Sequence, residues 1–305
     1  MSGIEQQFVE WLKSRKIPPG ESVVTGIGDD AAVVKLDGQM VVTTDTISDG
    51  THFDLTKHRF SQIGHKALGV SLSDLAGMAA RPRFATISYS LPTGILLESL
   101  VELFDGSAKL GEQFGCSIIG GDTNSWDGPL SICTTAIGSL PQDFSESGWR
   151  LSAGKPGDKI LVTGSFGGSI SGRHLEIAPR CELALRLRDH FTIHAATDVT
   201  DSLTHDLQAI LSASGCGARI DLDAIPIHGD SSRLAGSSGR SPLEHALYDG
   251  EDFELILTCN PATAEAILSV ENLETKITEI GMLTEGSGII DTVTSEPVSV
   301  SGYQH

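Results

Sequence analysis

Residues 139–157 divide the chain. This stretch is crowded with Pro, Gly, Ser and Asp and carries apolar residues at neither helical nor strand spacing. It falls near the middle of 305 residues, and one hydrophobic core commonly serves about 150 residues. Two domains are therefore expected, residues 1–140 and 141–305, each with its own core. With 39% hydrophobic and 20% charged residues, the chain has the apolar material that such cores need.

Within each half, helical and strand patterns mix. Residues 4–15 place Ile4, Phe8, Trp11 and Leu12 on one helical face. Strand signals follow at 31–34 and 40–44, joined by the turn pair Asp37-Gly38. Residues 63–79 and 96–114 have helical spacing, whereas 84–91, 117–119 and 130–137 read as strands. In the second half, 159–163 is strand-like and runs into the glycine-rich residues 164–168. Residues 203–214 and 262–270 read as helices, 253–258 as a strand, and 289–300 carries late strand signals. Residues 229–241 are polar and Gly/Ser-rich, which predicts a mobile loop. Strict βα alternation is missing, so an α+β arrangement is favoured over a doubly wound parallel sheet.

The charge balance narrows the partners. The chain has 21 basic and 40 acidic residues, a formal net charge of -19. Such a field repels nucleic acid and anionic membrane, and neither is an expected partner. No run approaches the ~18 consecutive apolar residues of a membrane helix, and residues 1–16 lack the pattern of a signal peptide. The five cysteines are scattered without a C-x-x-C pair, which points to reduced thiols and a cytoplasmic location.

The acids with chemical promise sit beside glycine or at the ends of apolar runs. They are Asp29-Asp30 after Gly28, Asp45 after Thr43-Thr44, Asp74 inside a helical pattern, Asp122 after Gly120-Gly121, Asp198 and Asp201, and Asp249 to Asp252 around Gly250. Taken singly, each reads as a turn or a helix cap. Together they suit convergence on hard cations, because Mg²⁺ takes carboxylates along with water and substrate phosphates. Carboxylates meeting without metal would repel one another. No G-x-x-x-x-G-K-[ST] loop, protein-kinase motif set, G-x-S-x-G or H-E-x-x-H is present. Residues 164–172 follow a strand but fit close helix–strand packing better than a dinucleotide site. Among the histidines, His52 stands out beside Gly50 and Phe53 and near Asp45.

In this order the motifs resemble the thiamine-monophosphate kinase family, within the aminoimidazole ribonucleotide synthetase-like ATP enzymes. The resemblance rests on GIGDDAAVV (26–34), TTDTISDGTHF (43–53), GHKALGVSLSDLAGMAARP (64–82), GGDT (120–123), KPGDKILVTG (155–164), DVTDSLTHDL (198–207) and DGEDFEL (249–255). It implies two α/β domains of the synthetase-like type, with N-terminal sheets pairing across a homodimer. It further implies ATP and several Mg²⁺ in a cleft fed by both domains. The implied metal ligands are Asp30, Thr44, Asp45, Asp74, Asp122, Asp198 and Asp201, with Thr43 contributing through its backbone. Gly121, Asp122, Arg150 and Thr200 are implied at ATP, and His52 and Glu251 at thiamine monophosphate. The sequence departs from the family pattern at Ser202, where glycine is usual, at Asp49, where Glu is usual, and at 298–301, which lack the aromatic often found before Gly-Tyr.

The implied reaction transfers the ATP γ-phosphoryl group to thiamine monophosphate, giving thiamine diphosphate and ADP. Asp45 and Asp122 are expected to hold metal at the reacting phosphates. Two alternatives belong beside this reading: another ATP enzyme of the superfamily, such as aminoimidazole ribonucleotide synthetase, and a degenerate protein that holds nucleotide without turnover.

Overall fold

The computed structural model describes residues 3–15, 22–27, 31–141 and 148–302. Asp30 and its neighbours Gly28 and Asp29 lie outside the described residues, as does Tyr303. Contacts divide the chain into two compact units. The first holds residues 1–75, 80–145 and 175–177, and the second holds 76–79, 146–174 and 178–305.

In chain order the first unit contains α1 (Ile4–Ser14), β1 (Val23–Thr25), β2 (Val33–Val34), β3 (Met40–Ser48), α2 (Phe60–Gly77), β4 (Arg81–Pro92), α3 (Leu97–Phe114), β5 (Ser117–Trp126) and β6 (Ser131–Ser139). The last residues of α2 cluster with the second unit. Four strands form one sheet in the order β3-β6-β4-β5, antiparallel except for the β4–β5 pair. β1 and β2 form a separate antiparallel ribbon. Strand alternation makes the sheet two-faced: Ile132, Thr134, Ala136 and Gly138 of β6 are buried, and the residues between them are not. α2 and α3 meet at glycines. A methyl group at Gly64 would overlap the Leu103 carbonyl, and one at Gly106 the Ser61 carbonyl. Ser107 Oγ donates to the Gly64 carbonyl at 2.6 Å across this contact. Phe8 of α1 is fully buried and packs on Trp11, Tyr89 and Phe104.

The second unit contains β7 (Lys159–Thr163), α4 (Cys181–His190), β8 (Ala195–Asp198), α5 (Leu203–Ser214), β9 (Gly217–Ile220), α6 (Gly229–Ser238), α7 (Pro242–Tyr248), β10 (Leu255–Cys259), α8 (Pro261–Leu268), β11 (Ile277–Thr284) and β12 (Gly288–Asp291). Its sheet runs β12-β9-β11-β7-β10-β8, antiparallel except for β12 against β9. The core gathers Ile160 and Val162 of β7, Leu203, Leu207, Ile210 and Leu211 of α5, and Ile256 of β10. Helices and strands thus mix in both units, as the α+β reading requires. No described helix is long and apolar enough to cross a membrane.

Two sequence expectations need correcting. Residues 229–241 are not a loop: α6 fills most of the segment, with the His228 side chain accepting the Asp230 N–H at its start and Gly239 in a left-handed conformation after its end. Asp230 and Ser231 are buried, which anchors the helix. The strand expected at 289–300 stops at Asp291, whose carboxylate accepts the Val293 and Thr294 N–H groups and bends the chain away.

α7 begins with a reciprocal cap. Ser241 Oγ accepts the Glu244 N–H at 3.2 Å, and the Glu244 carboxylate accepts the Ser241 N–H at 2.6 Å. Ser241→Ala is expected to cost about 1 kcal/mol, read as a lower urea midpoint with an unchanged m-value.

Candidate active site

In β3, Thr43, Asp45 and Ile47 alternate with the exposed Val42, Thr44 and Thr46. α2 covers the first set. Ser71 and Asp74 lie three residues apart on α2 and therefore share one of its faces. Ser71 Oγ donates to Asp45 Oδ2 at 2.6 Å, and Thr43 Oγ1 donates to Asp74 Oδ2. Strand and helix are thus cross-tied through two carboxylates by neutral hydroxyls. Neither carboxylate bonds a basic side chain among the described residues. Burial raises the Asp45 carboxyl above its usual range, against the opposing Ser71 bond. Burial, and then the charge of Asp45, push Asp74 up to about 6, with the Thr43 bond opposing.

The neighbouring strand adds a third oxygen. Thr134 of β6 stands opposite Asp45, and its buried hydroxyl has no hydrogen-bond partner among the described residues. Two largely buried carboxylates of like charge, neutral donors and an orphan hydroxyl form an all-oxygen set. That set fits a hard divalent cation such as Mg²⁺. Ser71 and Thr134 were not anticipated from the sequence, although the i, i+3 spacing of Ser71 and Asp74 offered a signal for the first.

Asp122 lies elsewhere in the same sheet. Cross-strand partners run from Asp45 through Thr134 and Ile87 to Gly121, from one edge strand to the other. Three strand spacings separate those edges, about 14 Å. Asp122 follows Gly121, is exposed, and stands level with Ser88. Magnesium–oxygen distances are about 2.1 Å, so within one sheet Asp45 and Asp122 cannot ligate a common ion. Thr44 turns to the exposed face, where its hydroxyl donates to the Thr134 carbonyl at 3.2 Å. His52 sits in the turn after β3, and its Nδ1 accepts the Ser48 N–H at 3.1 Å. That bond places the ring proton on Nε2 when the ring is neutral. The fully buried Lys66 donates to the His52 carbonyl at 2.8 Å and fixes the turn from beneath.

In the second unit, Asp198 ends β8, and residues 199–202 turn into α5. Asp206 shapes this turn: its Oδ2 accepts the N–H groups of Thr200, Asp201 and Ser202 at 2.9, 3.1 and 3.3 Å. The sequence reading missed Asp206, whose position in the first turn of α5 was the available signal. Carboxylate or ring atoms of Asp201, His205 and Asp206 come within 4.8 Å of one another. Asp206 spends Oδ2 on the amides, and His205 Nδ1 lies 3.5 Å from Asp201 Oδ2.

Glu251 lies against the same turn. Its N–H donates to the Thr200 carbonyl at 2.6 Å, and a Cβ at Gly250 would stand 2.6 Å from that oxygen. Glu251 and Phe253 have φ of 61° and 53°, a left-handed conformation that non-glycine residues seldom adopt. The flanking acids are structural. Asp252 accepts the Gly167 N–H at 3.0 Å, Asp249 accepts the Gly168 N–H at 3.0 Å, and Glu254 pairs with Arg180 and Thr163. The glycine-rich residues 164–168 are therefore cradled by the protein's own carboxylates. A methyl group at Gly164 would overlap Glu254, and its φ of 60° is left-handed, so close packing and backbone conformation both favour glycine there. Arg150 is exposed, and its carbonyl accepts the Ala196 N–H of β8 at 3.1 Å.

The structure brings Thr43, Asp45 and Asp74 together in one unit, and Asp198, Thr200, Asp201 and Glu251 onto one turn and its neighbouring loop in the other. Gly121 and Asp122 stand at the far sheet edge from Asp45.

Comparison with known proteins identifies relatives over nearly the whole chain. Residues 28–140 match the family described as AIR synthase related protein, N-terminal domain, and residues 155–293 match its C-terminal domain. The thiamine-monophosphate kinase of Rhodopirellula baltica is 37% identical, covering 99% of this chain and 97% of its own length. That of Escherichia coli K12 is 34% identical, covering 93% and 92%. The crystal structure of thiamine-monophosphate kinase from Stenotrophomonas maltophilia superposes with a TM-score of 0.81 at 31% identity, covering 97% of this chain and 98% of that one. The hydrogenase maturation protein HypE in complex with ATP superposes with a TM-score of 0.80 at 20% identity, covering 100% and 96%, so the fold is shared beyond the kinases.

Proposed function

The chain belongs to the thiamine-monophosphate kinase family of AIR synthase related proteins, and on that premise we infer that it transfers the γ-phosphoryl group of ATP to thiamine monophosphate. The products are thiamine diphosphate and ADP. The observation that carries the site assignment is the Asp45–Asp74 pair, two largely buried carboxylates bonded, among the described residues, only to hydroxyls.

A phosphate monoester has a second pKa near ~6, so the attacking oxygen is already ionised at neutral pH. The reaction asks for no general base. It asks for two polyanions to be held in line despite their repulsion, which is a matter of position and charge. Mg²⁺ bound at the carboxylates supplies that charge. The residues of this chain do the rest. Ser71 and Thr43 orient Asp45 and Asp74 through their hydroxyls. Asp198 and Asp201 offer further carboxylate ligands in the second unit, and Asp122 offers one at the far edge of the first sheet. Asp30 completes the family set. The Thr200 amide is held by Asp206, and the family motifs assign the Thr200 hydroxyl and the Arg150 side chain to ATP. Gly121 lets the ATP-side strand β5 run close to β4. The family motifs put His52 and Glu251 on the thiamine monophosphate side, where His52 would offer a ring N–H to the phosphate and Glu251 a carboxylate to the thiazolium cation.

A homodimer accords with the first sheet, whose outward face carries Val42 at 63% exposed along with Thr44 and Thr46. All five cysteines are free thiols, which supports a cytoplasmic place of action. The test of the reaction is thiamine diphosphate formation from thiamine monophosphate and ATP with Mg²⁺. One ADP per thiamine diphosphate is expected, and chelation should stop both. ADP released without thiamine diphosphate would show a different acceptor.

Cation binding should depend on pH through Asp74. Its carboxyl rises from 3.8 to about 6 on folding. Between those values the folded chain keeps a proton that the unfolded chain releases, so the cation-free protein loses stability as pH rises from about 4 to about 6. A bound cation requires the ionised carboxylate, so its affinity moves the other way. We expect Mn²⁺ affinity to be flat above pH ~7 and to weaken below pH ~6, approaching tenfold per unit for one competing proton. Calorimetric titrations at pH 7.5, 6 and 5 would check this; a constant affinity would remove Asp74 from the ligand set.

A further inference from the structure

The turn that carries Asp198 and Asp201 is gripped by the C-terminal end of the chain, and the grip runs through a residue that departs from the family pattern. Ser202 is fully buried. Its φ of 173° is ordinary extended backbone, so the glycine usual at this place is not required by conformation. Its hydroxyl makes two bonds that glycine could not. Ser202 Oγ accepts the His205 N–H at 3.0 Å, capping α5, and donates to the Ser301 carbonyl at 2.5 Å. Thr204 reinforces the second contact: its Oγ1 lies 3.0 Å from the Ser301 carbonyl and accepts the Ser301 N–H at 3.4 Å.

Gly302 then lies flush on the turn. A Cβ there would stand 3.0 Å from the Asp201 carbonyl and 3.1 Å from both His205 Cβ and Ser202 Oγ. Gly250 approaches the same Asp201 carbonyl so closely that a Cβ would stand 2.9 Å away. The Asp201 carbonyl is therefore clamped by two segments, Gly250-Glu251 and Ser301-Gly302. Ser202 and Thr204 hold the second.

We propose that Ser202 is a positioning residue that makes the C-terminal segment a working part of the Asp198–Asp201 turn, by tying Ser301 to the start of α5. Without the tie, Ser301-Gly302 lifts from the turn, Asp201 loses one side of its clamp, and the cation and nucleotide side of the site loosens. The effect falls on binding more than on the transfer step, because Ser202 touches no reacting atom. The proposal rests on the kinase reading for its kinetic consequence, but its physical consequence can be read without turnover.

The test compares Ser202→Ala with Ser202→Thr, which keeps the hydroxyl, after circular dichroism and thermal melting show both to be folded. Hydrogen exchange of the peptide covering 298–302 should speed up at least tenfold in Ser202→Ala and stay near wild type in Ser202→Thr. The Mn²⁺ affinity of protein loaded with a non-hydrolysable ATP analogue should fall about tenfold in Ser202→Ala and recover in Ser202→Thr. In the kinase assay, the Mg²⁺ concentration for half-maximal rate should rise by more than kcat falls. An unchanged exchange rate in Ser202→Ala would overturn the tie. Faster exchange with unchanged Mn²⁺ affinity would overturn the coupling to the site. Failure of the kinase reading would appear separately, as wild-type protein that makes no thiamine diphosphate while the exchange and Mn²⁺ differences persist.

Discussion

Replacing Asp45 with Asn is expected to lower kcat for thiamine diphosphate formation by a factor of about 10³ or more, while the cation-free protein melts at the same temperature or higher. The two halves of this expectation come from one arrangement. Asp45 and Asp74 are held close by Ser71 and Thr43 in a largely buried setting, with no basic partner bonded to either among the described residues. Burial raises both carboxyls, and the charge of Asp45 adds to the rise at Asp74. In the absence of cation these charges oppose folding. The Asn amide is nearly isosteric, and its oxygen still accepts the Ser71 hydroxyl, so the packing between β3 and α2 persists. What disappears is the charge that holds Mg²⁺ against the phosphates. A purely structural role for Asp45 predicts the reverse, a lower melting temperature with activity retained in the fraction that stays folded.

Gly121→Ala is expected to be destructive for a different reason. The added methyl would overlap the carbonyl oxygen and carbon of Ile87, which are backbone atoms of the paired strand β4. No rotamer change relieves such a clash, so β5 must move away from β4 or twist. Overpacking of this kind costs about 3 kcal/mol or more when the backbone has to shift. Equilibrium denaturation would show it as a large fall in midpoint, and activity should fall with the folded fraction. Gly120→Ala is the control, since a methyl there would make only an ordinary 3.8 Å contact with Thr86. Equal tolerance of both changes would contradict the assigned geometry of β5.

Regular periodicity made some elements legible. α2 and α3 announce themselves by helical spacing, and β4 and β6 by alternation that the burial of Ile87, Tyr89, Leu91, Ile132 and Ala136 follows. β11 escaped because the register shift between Glu279 and Gly281 breaks its alternation, leaving burial at every third residue. β8 and β9 are four residues each and mostly buried, too short to show a period. α6 was hidden by Gly and Ser residues that favour loops in isolation, whereas burial of Asp230 and Ser231 decides for a helix.

The acids sorted themselves in the same way. Asp45, Asp74 and Asp201 looked like ligands and sit where a cation could use them. Asp249 and Asp252 looked similar but spend their oxygens on Gly168 and Gly167, and nearby Glu254 pairs with Arg180. Sequence spacing cannot separate these cases, because the partners are 74 or more residues away and meet only in the folded sheet. The family motifs did separate the enzyme from its fold neighbours. HypE shares the backbone at a TM-score of 0.80 with 20% identity, whereas the Rhodopirellula baltica and Escherichia coli kinases share 37% and 34% of residues.

The measurement closest to the centre of the account is a Mn²⁺ titration of protein loaded with a non-hydrolysable ATP analogue, followed by calorimetry at pH 7.5. Wild type is compared with the Asp45→Asn, Asp74→Asn double variant. Wild type should bind at least one more ion tightly than the variant, and the difference should vanish as pH drops below about 6, where Asp74 takes a proton. Equal stoichiometry and affinity in the two proteins would show that the buried carboxylate pair holds no catalytic cation.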